Sequence, residues 1–89
     1  MNAPAIRKLR ERLGLNQAEF AQLVGVHPIT VSKWERNEAE PTAYQHALFE
    51  QFDEGARNKR VRETVKNVLV SAGVILALAL LLSHLMKKK

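Results

Sequence analysis

Nineteen consecutive residues of this chain, Val68 to Met86, carry no formal charge. Eleven of them are Val, Leu or Ile, distributed around the whole circumference of a helix. In a chain of 89 residues there are few places to hide such a run from water. As one helix it extends about 28 Å at ~1.5 Å per residue, close to the ~30 Å hydrocarbon core of a bilayer. Its aliphatic side chains favour insertion by about 3–6 kcal/mol before Ser71, Gly73, Ser83 and His84 subtract from the gain. The competing placement is a buried helix of a water-soluble protein. A small domain of residues 1–56 cannot surround a helix that is apolar on every side, so that placement needs an oligomer. The expectation is therefore a single transmembrane helix over residues 67–86.

The net charge of +5 is unevenly distributed. Residues 1–56 hold six Lys/Arg against eight Asp/Glu, a net −2; residues 57–66 hold five basic groups and one acidic group, a net +4. Lys87, Lys88 and Lys89 form a basic tail. The basic excess thus flanks the apolar run, where it suits anionic lipid headgroups. Five basic residues before the run against three after it place the N-terminal domain on the cytoplasmic side of a bacterial inner membrane, in a single-pass arrangement. Met1 to Arg12 is polar and basic and has no signal-peptide core. The chain has no cysteine, which removes disulfides and thiolate zinc sites. His27, His46 and His84 are too scattered to suggest a metal site. No nucleophile–base pair or phosphate-cradling glycine loop is present, so neither a cofactor nor enzymatic activity is expected.

Only helical periodicity runs along the chain, which predicts an all-α fold. A first helix starts near Pro4 and stops at Gly14, with Ile6, Leu9 and Leu13 facing inward. A second opens at Asn16, with Glu19 as its capping-box partner, and turns at Gly25; Phe20, Ala21 and Val24 face inward. A third follows His27, with Pro28 in its first turn and Val31 and Trp34 inward; Asn37 takes a left-handed conformation at its end. Thr42 and Gln45 form another capping box, and a fourth helix runs to about Glu54 with a Tyr44, Leu48, Phe52 stripe. Gly55 is then expected to break the chain before a basic juxtamembrane connector over 57–66.

Two of these helices fit together in a specific way. A small residue, Ala21, lies where they cross, and Gly25 supplies the positive backbone dihedral of a tight turn. Phe20, Val24, Val26, Val31 and Trp34 lock the second element on the first. Residues 6–41 resemble the phage-repressor (Xre/Cro-like) helix-turn-helix family, above all in Leu13-Gly14-Leu15-Asn16-Gln17-Ala18-Glu19 and Thr30-Val31-Ser32-Lys33-Trp34-Glu35. The resemblance implies a four-helix lambda-repressor-like domain over residues 1–56 that binds double-stranded DNA. Asn16 and Gln17 then hold a phosphate at the start of the second helix. Pro28, Ile29, Ser32 and Lys33 line the exposed face that enters the major groove, with Lys33 donating to guanine and Ile29 touching a thymine methyl. Arg36 and Asn37 face the phosphate backbone. Arg10 and Glu35 match a buried ion pair of the family and are read as structural.

Some residues depart from that pattern. His27, Pro28 and Ile29 stand where the family often has polar side chains, and Glu38 and Glu40 stand where a basic loop is common. Ile29 suits a protein partner as well as a base, and Lys33 and Arg36 are also readable as ordinary solvated charges. The leading expectation is a membrane-anchored DNA-binding transcriptional regulator. The alternative is a membrane-anchored scaffold or antitoxin-like regulator whose domain binds a cytoplasmic protein. Certain bacterial cell-shape proteins resemble that arrangement. The small-xxx-small pairs Gly73/Ala77 and Ala79/Ser83 suit pairing of two copies through the apolar helix, beside homodimerisation through the helix-turn-helix domain.

Overall fold

Side-chain caps set where most helices begin. Asn2 accepts from the Ala5 N–H and opens α1 (Ala3–Arg12), with Pro4 in the first turn, where its missing N–H costs nothing. Asn16 and Glu19 form the expected reciprocal box at α2 (Gln17–Val24), and His27 caps α3 (Pro28–Glu35). Thr42 and Gln45 form a second box at α4 (Ala43–Ala56). Asn58 accepts from the Val61 N–H and opens α5 (Lys59–Ala72); α6 (Val74–Lys87) follows. The computed structural model describes residues 1–87, less the side chains of Leu82 and residues 84–87. Lys88 and Lys89 of the basic tail lie outside the described residues.

The expected inward positions of α1, Ile6, Leu9 and Leu13, are all buried, as are Phe20, Ala21, Val31 and Trp34. Leu15 and Leu23 join them, while Val24 is only half-buried. The α4 stripe differs from expectation. Tyr44 is 76% exposed and Leu48 half-buried, while Phe49, Phe52 and Ala56 are fully buried. The helix is rotated so that Phe49 meets Phe20 and Trp34 at ring-centroid distances of 5.7 and 5.4 Å, the second edge-on. Burying two phenyl rings leaves the hydroxyl-bearing ring of Tyr44 in water, where it needs no internal partner.

Three expectations for the second half are corrected. Gly55 does not break the chain: it is a buried residue inside α4, and a Cβ placed there would lie 2.9 Å from Leu81 Cδ2. The missing side chain lets α6 approach α4 closely. The basic stretch 57–66 is not an open connector either, because α5 begins at Lys59 and buries Val61, Val65 and Leu69 at helical spacing. Finally, the uncharged run is not one helix. Gly73, at φ 98° and ψ 174°, ends α5, and α6 folds back against it with Ala77 and Leu81 buried. Among the described residues no helix is long and apolar enough to cross a membrane.

The physical reason lies in the hairpin itself. Each arm covers part of the other's apolar surface, and α4 and α2 cover more of α6. A helix apolar all round can thus bury one side within one small chain, here through Ala77 and Leu81, while Ile75 and Leu76 stay exposed. Ala77 of the Gly73/Ala77 pair is consumed in this packing, whereas Ala79 and Ser83 remain exposed.

Candidate nucleic-acid interface

The turn between α2 and α3 is built from Gly25 at φ 79°, whose N–H donates to the Ala21 carbonyl at 2.8 Å; the Val26 N–H donates to the same oxygen at 2.9 Å. Ala21 and Val31 are buried where the two helices meet. The Ile29 N–H donates to His27 Nδ1 at 3.2 Å, so His27 begins α3 through a ring nitrogen instead of a hydroxyl.

This geometry sends one side of α3 outward. Pro28, Lys33, Arg36 and Asn37 are exposed, Ile29 is 56% exposed, and Ser32 is half-buried. Ile29, Ser32, Lys33 and Arg36 are spaced three and four apart and share a face. Asn37 sits at φ 60°, the expected left-handed position. At the start of α2, Asn16 is exposed and Gln17 half-buried. All eight residues therefore fall on the outer side of the α2–α3 unit or at its two ends.

Behind this face lies the Glu35 carboxylate, whose side chain is completely buried. Arg10 donates to it through Nε at 2.7 Å and Nη2 at 2.9 Å, and Arg7 Nε donates at 3.2 Å. Burial pushes this carboxyl up, but the hydrogen bonds from Arg10, Gln17 and Arg7 together outweigh it and hold it below its ordinary value. Its own hydrogen bonds to Glu35 hold the Arg10 guanidinium above its usual range against the opposing effect of burial. The expected Arg10–Glu35 pair is thus present, within a larger group. Arg7 was not anticipated as a member.

Two expected phosphate ligands are already engaged. Gln17 Nε2 donates to Glu35 Oε1 at 3.3 Å, which leaves the second amide N–H as its outward donor. Arg36 is paired with Glu38, Nε to Oε2 at 2.6 Å and Nη2 to Oε1 at 3.4 Å, and also donates to the Ser32 hydroxyl. The hydrogen bond from Arg36 lowers the Glu38 carboxyl and, reciprocally, raises the guanidinium. Glu38, which stands where the family often has a basic loop, is therefore paired directly with Arg36, a residue expected to face the phosphate backbone.

Sequence reasoning also missed Lys66. From α5 it donates to the Gly14 carbonyl and lies 3.6 Å from Glu19 Oε1, placing a cation beside the start of α2. No local signal could have found a contact spanning 52 residues. With this geometry in view, comparison with known proteins is informative on one segment. A helix-turn-helix family model matches residues 6–44, from the first half of α1 into the first turn of α4, and leaves α5 and α6 outside. Neither a curated protein nor a solved structure matches the chain.

Proposed function

We propose that this chain is a DNA-binding transcriptional regulator whose α3 docks in the major groove. The observation that carries the reading is the outward face of Ile29, Ser32, Lys33 and Arg36, set on a rigid α2–α3 unit whose inward positions are filled by core residues. Lys33 donates to guanine O6 and N7, and Ile29 contacts a thymine methyl. Gln17 gives its second amide N–H to a phosphate, and Arg36 exchanges Glu38 for another. Because that exchange breaks an existing ion pair, non-specific affinity is low and base contacts carry more of the discrimination. Two copies reading two half-sites fit this mode. The basic segment 57–66 and the uncharged residues after it support a position at the membrane, with the DNA-reading domain on the cytoplasmic side.

A second reading keeps the same face but gives it a protein partner. It is favoured by the Arg36–Glu38 pair and by the −2 charge of residues 1–56, both unfavourable to phosphates. A binding-site selection with the full chain, followed by salt titration of the enriched duplex, separates the two. Enrichment of a defined site supports the DNA reading. No enriched sequence, with duplex affinity at background even in a Glu38→Gln/Glu40→Gln variant, transfers the face to a protein partner.

A further inference from the structure

We infer that the outward side of the α5–α6 hairpin is a docking surface for an anionic lipid bilayer, engaged by the folded hairpin without any helix crossing the membrane. Around the Gly73 turn, Val70, Ile75 and Leu76 are 67%, 79% and 54% exposed. Ala72 and Ala79 extend this surface, and no charged residue lies between Asn67 and Met86. Along α5 the exposed positions Lys59, Arg60, Glu63, Asn67 and Val70 recur at spacings of three and four and form one outward stripe. The stripe is cationic at its start and apolar at its end, with Glu63 as its one opposing charge. Lys59 and Val70 are about 16 Å apart at ~1.5 Å per residue, so a hairpin lying along a membrane touches it with both ends.

This gradient selects lipid over a second copy of the chain. Two copies stacked antiparallel on the stripe would bury Lys59 and Arg60 against the apolar end of the partner. Stacked in parallel, they would set cations against cations. An anionic bilayer meets neither conflict: headgroups accept the cationic end, and the headgroup–acyl boundary accepts Val70, Ile75 and Leu76. Arg57 is also exposed near the cationic end; Arg62 turns inward to donate to the Ala56 carbonyl. None of the surface side chains belongs to the outward face of α3, so lipid docking and duplex reading use separate groups.

Co-flotation of the full chain tests this, using vesicles of phosphatidylglycerol mixed with phosphatidylcholine and vesicles of phosphatidylcholine alone. The chain should float with the anionic vesicles and bind the neutral ones more weakly. Alkaline carbonate should release it, as expected for a surface-bound hairpin. A Val70→Ser/Ile75→Ser/Leu76→Ser variant should keep its helical circular dichroism and lose about tenfold or more in vesicle affinity. A Lys59→Gln/Arg60→Gln variant should lose the preference for anionic lipid. Absence of wild-type flotation, binding that survives both variants, or retention after carbonate overturns the inference. So does a solution dimer that the triple serine variant dissociates in the absence of vesicle binding. Duplex binding is measured separately on the same preparations, so failure of the DNA reading is distinguishable from failure of this one.

Discussion

Arg10 grips both carboxylate oxygens of Glu35, Nε to Oε2 at 2.7 Å and Nη2 to Oε1 at 2.9 Å, while its Nη1 holds the Leu15 carbonyl at 3.0 Å. One guanidinium thereby joins the end of α1, the loop before α2 and the end of α3. The bidentate geometry fixes orientation as well as distance. Because Gln17 also donates to Glu35, the first residue of α2 is positioned by the same carboxylate.

Glu35→Gln should therefore be costly. It removes the acceptor charge behind Arg10 and leaves that guanidinium, only 15% exposed, without its counter-ion. Loss of one partner from a buried pair costs about 3–5 kcal/mol. Urea denaturation of the full chain should show an unfolding free energy lowered by that amount, with the midpoint falling accordingly. A change under 1 kcal/mol would mean that the pair contributes little to the fold.

The pH dependence follows from the same group. The Glu35 carboxyl titrates below its ordinary value of 4.5 in the folded chain, so the unfolded chain binds its proton first as pH falls. The stability it confers is complete above that ordinary value and is lost as pH drops through the lower folded one. Urea midpoints measured from neutral pH downward should fall in that acid window. In Glu35→Gln the part of the decline due to this group should be missing.

Gly55 in α4 and Gly73 in the hairpin turn should both resist substitution, for different reasons. At Gly55 the obstacle is Leu81 Cδ2, so Gly55→Leu overpacks the α4–α6 contact and should cost about 1–3 kcal/mol. At Gly73 a Cβ would meet nothing within 4 Å, but φ 98° with ψ 174° is backbone that a side chain resists. Gly73→Ala should cost about 1–3 kcal/mol through strain alone. Thermal unfolding reads both losses. An unchanged melting temperature for Gly73→Ala would show that this turn is not held as described.

On the candidate interface, Lys33→Ala should relax base preference and cost about 1–3 kcal/mol of specific affinity. Glu38→Gln should act in the opposite direction by freeing Arg36 for phosphate, with the larger gain at low salt. Fluorescence titration on the selected duplex checks both signs. Weakening by Glu38→Gln would mean that this carboxylate supports binding through the placement of Arg36.

What the sequence determined by itself was local or periodic. Asn16 with Glu19 and Thr42 with Gln45 mark helix starts because a cap bonds within three residues of itself. Gly25 and Asn37 mark turns because their backbone preferences are intrinsic, and Ile6, Leu9 and Leu13 mark a buried face by spacing alone. The outward face of α3 was legible for the same reason. Tertiary structure decided the rest. Which side of α4 is buried depends on rings brought from Phe20 and Trp34, so Phe49 displaced Tyr44 from the expected stripe. The hydrogen bonds of Gln17 and Arg36 depend on where Glu35 and Glu38 come to lie. The fate of residues 68–86 depended on two glycines acting together: Gly73 permits the reversal, and Gly55 leaves room on α4 for the returning helix. Hydropathy measures the need of each residue for an apolar environment, but it cannot register that another part of the same chain has made one.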